Sequence, residues 1–304
     1  MKFEKPLQES LSNLQSFGRL YFTPKQLFYE FCRQLNSPMG IEAKTAASLF
    51  GLGAVPTMFL PKHKFKLILT GSLILGGLAF LRNTPHTLSA PISFADFEYL
   101  LADYLQTNEI EGLLKIEEKL NFVNKLPADL TLFGLPKVLI CETDEIAQML
   151  RANQFHLQTP CAVLSVNEAK PLNKNVKKML ANAEEPQVYF LHNASLEAFS
   201  ILRNLRETLD LSAEIPLRSL GLRPIHAKRL HLFAQKNVSR EFDVSTFEYL
   251  DESEKKWLLR GNSAEVSAIS PVRLLRVLRR LILGLEIPPS EWQISLPKKS
   301  LGFM

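Results

Sequence analysis

The chain has 304 residues, with 36 Lys and Arg against 31 Asp and Glu and a net charge of +5. That length exceeds the usual single domain, and 46% hydrophobic residues can fill a core, which excludes a disordered tail and points to one large or two medium domains. A balance this mildly basic is compatible with nucleic acid or an anionic membrane surface and requires neither.

The beginning, MKFEKPLQESLSNL, alternates polar and apolar residues and lacks the apolar core of a secretory signal, so the N-terminal region is expected to stay in the cytosol. In YFTPKQLFYEFCRQL, Thr23 caps a helix that Pro24 opens, and Leu27, Phe28, Phe31 and Leu35 recur at helical spacing. Residues 1–44 form an N-terminal helical segment. Two uncharged runs follow: TAASLFGLGAVPTMFL at 45–60 and LILTGSLILGGLAFL at 67–81, joined by the basic PKHKFK. Neither run reaches the ~20 residues that comfortably span a bilayer, but Lys44, Lys66 and Arg82 can snorkel. Neither shows the polar face of a surface helix, and their glycines suit close helix packing in lipid. Residues 45–82 are therefore expected to form a membrane-embedded helical hairpin, the alternative being a buried hairpin of a soluble core. The positive-inside rule does not choose, because Lys62, Lys64 and Lys66 oppose Arg33, Lys44 and Arg82. A hairpin returns the chain to its starting side. Cys32, Cys141 and Cys161 form no CxxC pair and read as free thiols, so both flanks are placed in the cytoplasm.

Residues 90–135 read as a helical linker region, with FADFEYLLADYLQTNEIEGLLKIEEKL predicted as helix on an apolar stripe of Phe94, Phe97, Leu100, Leu101 and Leu105. The period then changes. KVLIC, CAVLSV, QVYFL and the shorter EIPLRSLGL read as strands, alternating with TDEIAQMLRANQF, NKNVKKMLANA and SLEAFSILRNLRETL as helices. This alternation predicts an α/β fold over 136–235, a mostly parallel sheet with helices on its faces. The turn HNAS after QVYFL places His192, Asn193, Ser195 and Glu197 at the carboxyl end of a strand, where such sheets handle ligands.

The order strand, acidic residue, helix, strand, helix, strand, polar turn, helix resembles the Toprim domain of topoisomerases, primases and the A subunit of topoisomerase VI. In that family a Glu follows the first strand and a DxD motif follows the third. On this chain the resemblance puts the Glu on Glu142 and the DxD on Asn193 and Ser195, with Glu197 close behind. It also likens the helix from Thr23 to the helix-turn-helix segment that precedes such domains, with Tyr21 and Tyr29 as counterparts of a cleaving tyrosine; aromatic core packing is the better reading of Tyr29. The family's carboxylates hold Mg²⁺, a hard cation that wants oxygen ligands. Asn193 and Ser195 remove two formal charges from that set. The resemblance thus implies a vestigial site without metal or cofactor, and Mg²⁺ enters only if the chain is a nucleic-acid-processing enzyme, nuclease or topoisomerase-like, with a diverged metal site.

GLRPIHAKRLHLF collects Arg223, His226, Lys228, Arg229 and His231, a loop that could meet phosphate or simply face water. Residues 236–304 form a C-terminal helical region. Its helix, SPVRLLRVLRRLILGL, opens on Ser270 and Pro271 and sets Arg273, Arg276, Arg279 and Arg280 opposite Val272, Leu275, Leu278 and Ile282. Such a helix can lie on anionic lipid, contact a phosphate backbone, or dock on the core with its arginines paired to Glu265 and Glu286. Taken together, the sequence is expected to encode a membrane-associated, non-catalytic Toprim-like binding or scaffold protein.

Overall fold

A computed structural model describes residues 3–16, 18–36, 87–115, 135–170, 172, 174–237, 247 and 250–285. The uncharged runs at 45–81 lie outside the described residues, and among those described no helix is long and apolar enough to cross a membrane.

The chain opens with α1, Glu4–Gln15, which buries Leu7, Leu11 and Leu14 at helical spacing. Next comes α2, Pro24–Asn36. The Thr23 hydroxyl accepts from the Gln26 N–H at 3.1 Å, and the Gln26 side chain accepts from the Thr23 N–H at 3.0 Å, a reciprocal cap that fixes where the helix begins. Its inner face buries Leu27, Phe28, Tyr29, Phe31 and Cys32. Helix α3, Phe94–Leu105, packs there through Phe97, whose ring lies 5.5 Å from Phe28 and 5.3 Å from Phe31. The long helix expected from Phe94 onward stops at Leu105. Gln106, Thr107 and Asn108 turn the chain there, and Leu113 then makes a parallel bridge with Phe22.

The α/β core follows. Strands β1, Lys137–Cys141, β2, Cys161–Ser165, β3, Gln187–Leu191, and β4, Leu217–Ser219, form one sheet in the order β2-β1-β3-β4. Every pairing is parallel, with Val138 opposite Ala162 on one side and Val188 on the other. The first three strands are buried almost end to end, as expected of a sheet covered on both faces. Between β1 and β2 the sequence expects one helix and the structure has two: α4, Asp144–Ala152, and α5, Phe155–Gln158. Gln154, at φ 55°, breaks them. The remaining crossovers are α6, Lys174–Ala181, and α7, Leu196–Thr208. The path runs outward from β1 to β2 and then back across β1 to β3. The reversal puts a topological switch point between the carboxyl ends of β1 and β3.

After the sheet come α8, Pro224–Arg229; β5, Ala234–Lys236; α9, Glu252–Leu259; β6, Asn262–Ala264; a 3₁₀ turn, Val266–Ala268; and α10, Pro271–Leu283. β5 straddles the expected boundary at 235/236 and pairs antiparallel with β6. The terminal helix begins where predicted, although the Ser270 side chain makes no capping bond. Its buried face is Leu274, Val277, Leu278, Leu281 and Ile282, while Val272 and Leu275 are only partly covered. The expected apolar stripe was thus rotated by part of a turn.

Arg223 does not reach out to phosphate. Its guanidinium grips Glu254, whose side chain is 0% exposed. The same carboxylate accepts from the Ile225 N–H at 3.2 Å and the Asp251 N–H at 3.1 Å, so one buried charge fastens α8 to the start of α9. Breaking a buried pair by removing one partner costs about 3–5 kcal/mol, because the other charge is left without compensation. Glu254→Ala is accordingly expected to lose about 3 kcal/mol or more in urea denaturation, with Glu254→Gln in between. A change within about 0.5 kcal/mol, the range of ordinary surface substitutions, would contradict this account.

Candidate functional site

The crevice at the switch point is built by the two residues that follow β1 and β3. Glu142 comes off β1 and donates its own N–H to Leu191 O at 2.9 Å, extending the ladder by one bond. Its Oε2 accepts from the Asn193 N–H at 2.6 Å. Asn193 Oδ1 in turn accepts from the Val266 N–H at 2.7 Å. The residue expected at the mouth of the crevice therefore connects both strands to the 3₁₀ turn.

That turn and the strand before it, β6, lie across this end of the sheet as a plug. Ala194 and Ala264 form an antiparallel bridge, with bonds of 2.9 and 3.1 Å, which lays the β5–β6 ribbon against the carboxyl end of the sheet. Helix α2 closes the stack from outside. Lys25 Nζ lies 3.0 Å from Glu265 Oε1, and the Arg33 guanidinium donates to Ala268 O. Gln235 Nε2 donates to the Tyr29 hydroxyl at 2.9 Å, and the Tyr29 ring stacks on Phe233 at 5.7 Å. Tyr29 is 1% exposed, and burial, with the charge of Glu265 close by, pushes its hydroxyl pKa up. It is a core residue. Tyr21 is 45% exposed, and its backbone N–H donates to Asn153 Oδ1 at 2.9 Å.

Burial pushes the Glu142 carboxyl above its usual range; the Asn193 donors pull it back, and the charges of Glu265 and Glu197 push it up again. Glu197 is exposed on the first turn of α7. Lys25 is the counterweight. Burial alone would lower its pKa, but Glu265, Glu145 and Glu142 hold it raised. Ser195 caps α7 by accepting from the Ala198 N–H at 3.1 Å. His192, wholly buried, lies below this layer. Its Nδ1 is 2.7 Å from Asn193 O and must donate; its Nε2 is then the acceptor for the Ser219 hydroxyl at 2.8 Å. The ring sits between Phe190 and Phe199, and a Cβ added at Gly221 would come within 2.2 Å of it. Only glycine fits at 221.

Glu142 and Asn193 do come together, with Ser195 two residues further on, but each already gives an oxygen to the protein. One holds a backbone N–H of the crevice, one the plug, one a helix start. Lys25 engages Oε1 of Glu265, whose buried Oε2 makes no hydrogen bond among the described residues, and among those residues no three His, Cys, Asp or Glu side chains are grouped to hold a metal ion. This donor set does not fit the Mg²⁺ that the resemblance brings with it. The sequence named Glu265 only as a partner for the terminal arginines; it pairs with Lys25 instead. Lys25, Gln235 and Val266 carried no signal, because each meets the crevice across a long stretch of chain. Of the arginines on α10, Arg276 and Arg279 are exposed and Arg273 and Arg280 partly buried, on a different element from the crevice. No protein-family model, no curated protein and no solved structure matches the chain.

Two outcomes follow from this chemistry. Burial lowers the pKa of His192 to about 4 and, with Arg223, Arg229 and His192 adding, that of His226 to about 3. Both values are depressed, so their stabilisation is complete above the unfolded value of about 6.5 and is lost as pH falls through that window. Glu142, raised, works the other way, stabilising below its unfolded value and less as pH rises, but it stands against three histidines, since burial, with Arg151, also lowers the pKa of His156. The urea midpoint should therefore fall between about pH 7 and about pH 5, and His192→Gln, less stable at neutral pH, should give a shallower slope. A wild-type midpoint that holds or rises on acidification would contradict the buried neutral histidines. Calorimetric titration with Mg²⁺ or Mn²⁺ should show no tight binding by the wild type. The double variant Asn193→Asp, Ser195→Asp restores two carboxylates beside Glu142 and should gain binding. Tight binding by the wild type would reverse the reading of the site.

Proposed function

We propose that this chain is a membrane-anchored, non-catalytic Toprim-like module that acts by binding, as a scaffold held at a bilayer, with both flanks of its hairpin in the cytoplasm. The observation that carries the reading is the neck of the segment 37–86. Asn36 Nδ2 donates to Ser89 O at 3.3 Å, so the chain leaves and re-enters the described fold at a single place. On return it is fastened at once: Leu88 donates to Leu232 O at 2.9 Å and accepts from Ala234 at 2.8 Å. Both uncharged runs lie between those two points. A closed excursion of this kind can enter a bilayer and come back without separating the parts of the fold on either side of it. Hydrophobic partition of the excursion and integrity of the remainder are then independent properties.

The parallel sheet, with Glu142 and Asn193 meeting at the ends of neighbouring strands, supports the Toprim likeness. The filled crevice supports the absence of catalysis, since Asn193 and Ser195 are committed to the plug and to a helix cap. Three buried free thiols agree with a reducing compartment.

The test is fractionation. The full chain is expected to stay in the membrane pellet through an alkaline carbonate wash and to need detergent for release. A variant in which residues 45–81 are replaced by a short Gly/Ser linker should move to the supernatant and keep a cooperative unfolding transition. Full-length protein that remains in the supernatant without detergent would overturn the anchoring.

A further inference from the structure

Helix α10 has one face in the core and one outside. Val272, Arg276, Arg279 and Leu283 recur at helical spacing on the outer side, opposite the buried Leu274, Val277 and Leu281. Arg276 and Arg279 are exposed, and Leu283 is 37% exposed. The stripe gains apolar surface at its far end. There Gly284 turns the chain at φ 69° and leaves Leu285 55% exposed. Leu157, on the short α5 that packs against α10, is 70% exposed. Lys137 at the start of β1 donates to Ile282 O at 2.6 Å, which pins this end of the helix to the amino edge of the sheet.

The near end of α10 lies by the neck. Arg33, three residues before Asn36, donates to Ala268 O, two residues before the N-cap Ser270. From that point a helix of 13 residues extends about 20 Å. The arginines and leucines are thus laid out along a line that starts where the excursion leaves the fold.

We infer that the outer stripe of α10, continued by Leu285 and Leu157, rests on an anionic bilayer surface and holds the α/β domain flat against the membrane; this rests on the anchoring proposed above. The composition selects lipid over nucleic acid. Guanidinium groups pair with lipid phosphates and carboxylates, and leucines interleaved with them can enter the acyl boundary. A phosphate backbone would use the arginines and leave the leucines in water. The hairpin keeps the stripe close to the headgroups, so a weak surface contact is sufficient to fix orientation.

The three native cysteines are buried, so Leu283→Cys gives one reactive site for an environment-sensitive dye on the full chain. The labelled protein is reconstituted into phosphatidylcholine vesicles with or without phosphatidylserine. The expected result is a blue shift, and quenching by nitroxide-labelled acyl chains, in the phosphatidylserine vesicles only, reversed by high salt. The shift should be lost in the background Arg276→Glu, Arg279→Glu, and a label at Leu157→Cys should repeat both results in case one position perturbs the fold. Flotation of the same samples reads the anchor separately. Protein that floats while the dye stays in water, or whose dye answers to duplex DNA and not to phosphatidylserine, overturns the docking surface and spares the anchor. Protein that floats with neither vesicle overturns both.

Discussion

The carboxyl end of a parallel sheet presents backbone groups and side chains to a crevice that something has to fill. In this chain the filling is internal, and it depends on the amide of Asn193. Its backbone N–H is held by Glu142 and its side-chain oxygen holds the Val266 N–H, at 2.6 and 2.7 Å. Both bonds are short. Both are partly buried, so each is worth more than it would be at the surface, and each would be costly to leave unmade. Through this one residue the ends of β1 and β3 are joined to the turn that carries Glu265. Through Glu265 and Ala268 they are joined to α2.

Asparagine has a physical advantage in that position. Its amide can donate to Glu142 on one side while its oxygen accepts from Val266 on the other. Aspartate, ionised, only accepts. It would bring a second carboxylate beside Glu142, whose own carboxyl burial and the charges of Glu265 and Glu197 already push up. A third or fourth negative charge would call for a cation stronger than Lys25. Asparagine at this position thus both keeps a further carboxylate out of the crevice and supplies the bond that closes it.

What could be read in the sequence is what is local. KVLIC, CAVLS and QVYFL are runs of buried residues with polar ends, and a run of that kind between helical periods leaves little choice but a parallel strand. Thr23 with Pro24, and Ser195 before Leu196, announce their helices because a cap acts over three residues. The plug could not be read this way. NSAEVSA has no apolar period, and its order comes from Ala194, Asn193 and Lys25, remote in sequence. Arg223 misled for the same reason: next to Lys228 and Arg229 it looks like a phosphate loop, and only the fold supplies Glu254. The break at Gln154 and the early stop at Leu105 are backbone decisions that helical periodicity overrides on paper.

The neck and the crevice are mechanically one feature, because α2 serves both. Lys25 near the start of the helix holds the plug and Asn36 at its end holds the returning chain, with Arg33 between them on Ala268. The returning chain is itself stapled to Leu232 and Ala234, where β5 begins, and β5 pairs with β6 of the plug. The segment 37–86 is therefore flanked by α2, which contacts the 3₁₀ turn, and by the stretch at Leu88, which is bonded to β5, the partner of β6. Contacts at the two ends of α2 thus couple the neck to the turn that closes the crevice. The surfaces of the described fold are in this way fixed relative to Asn36 and Ser89, the two ends between which residues 37–86 run.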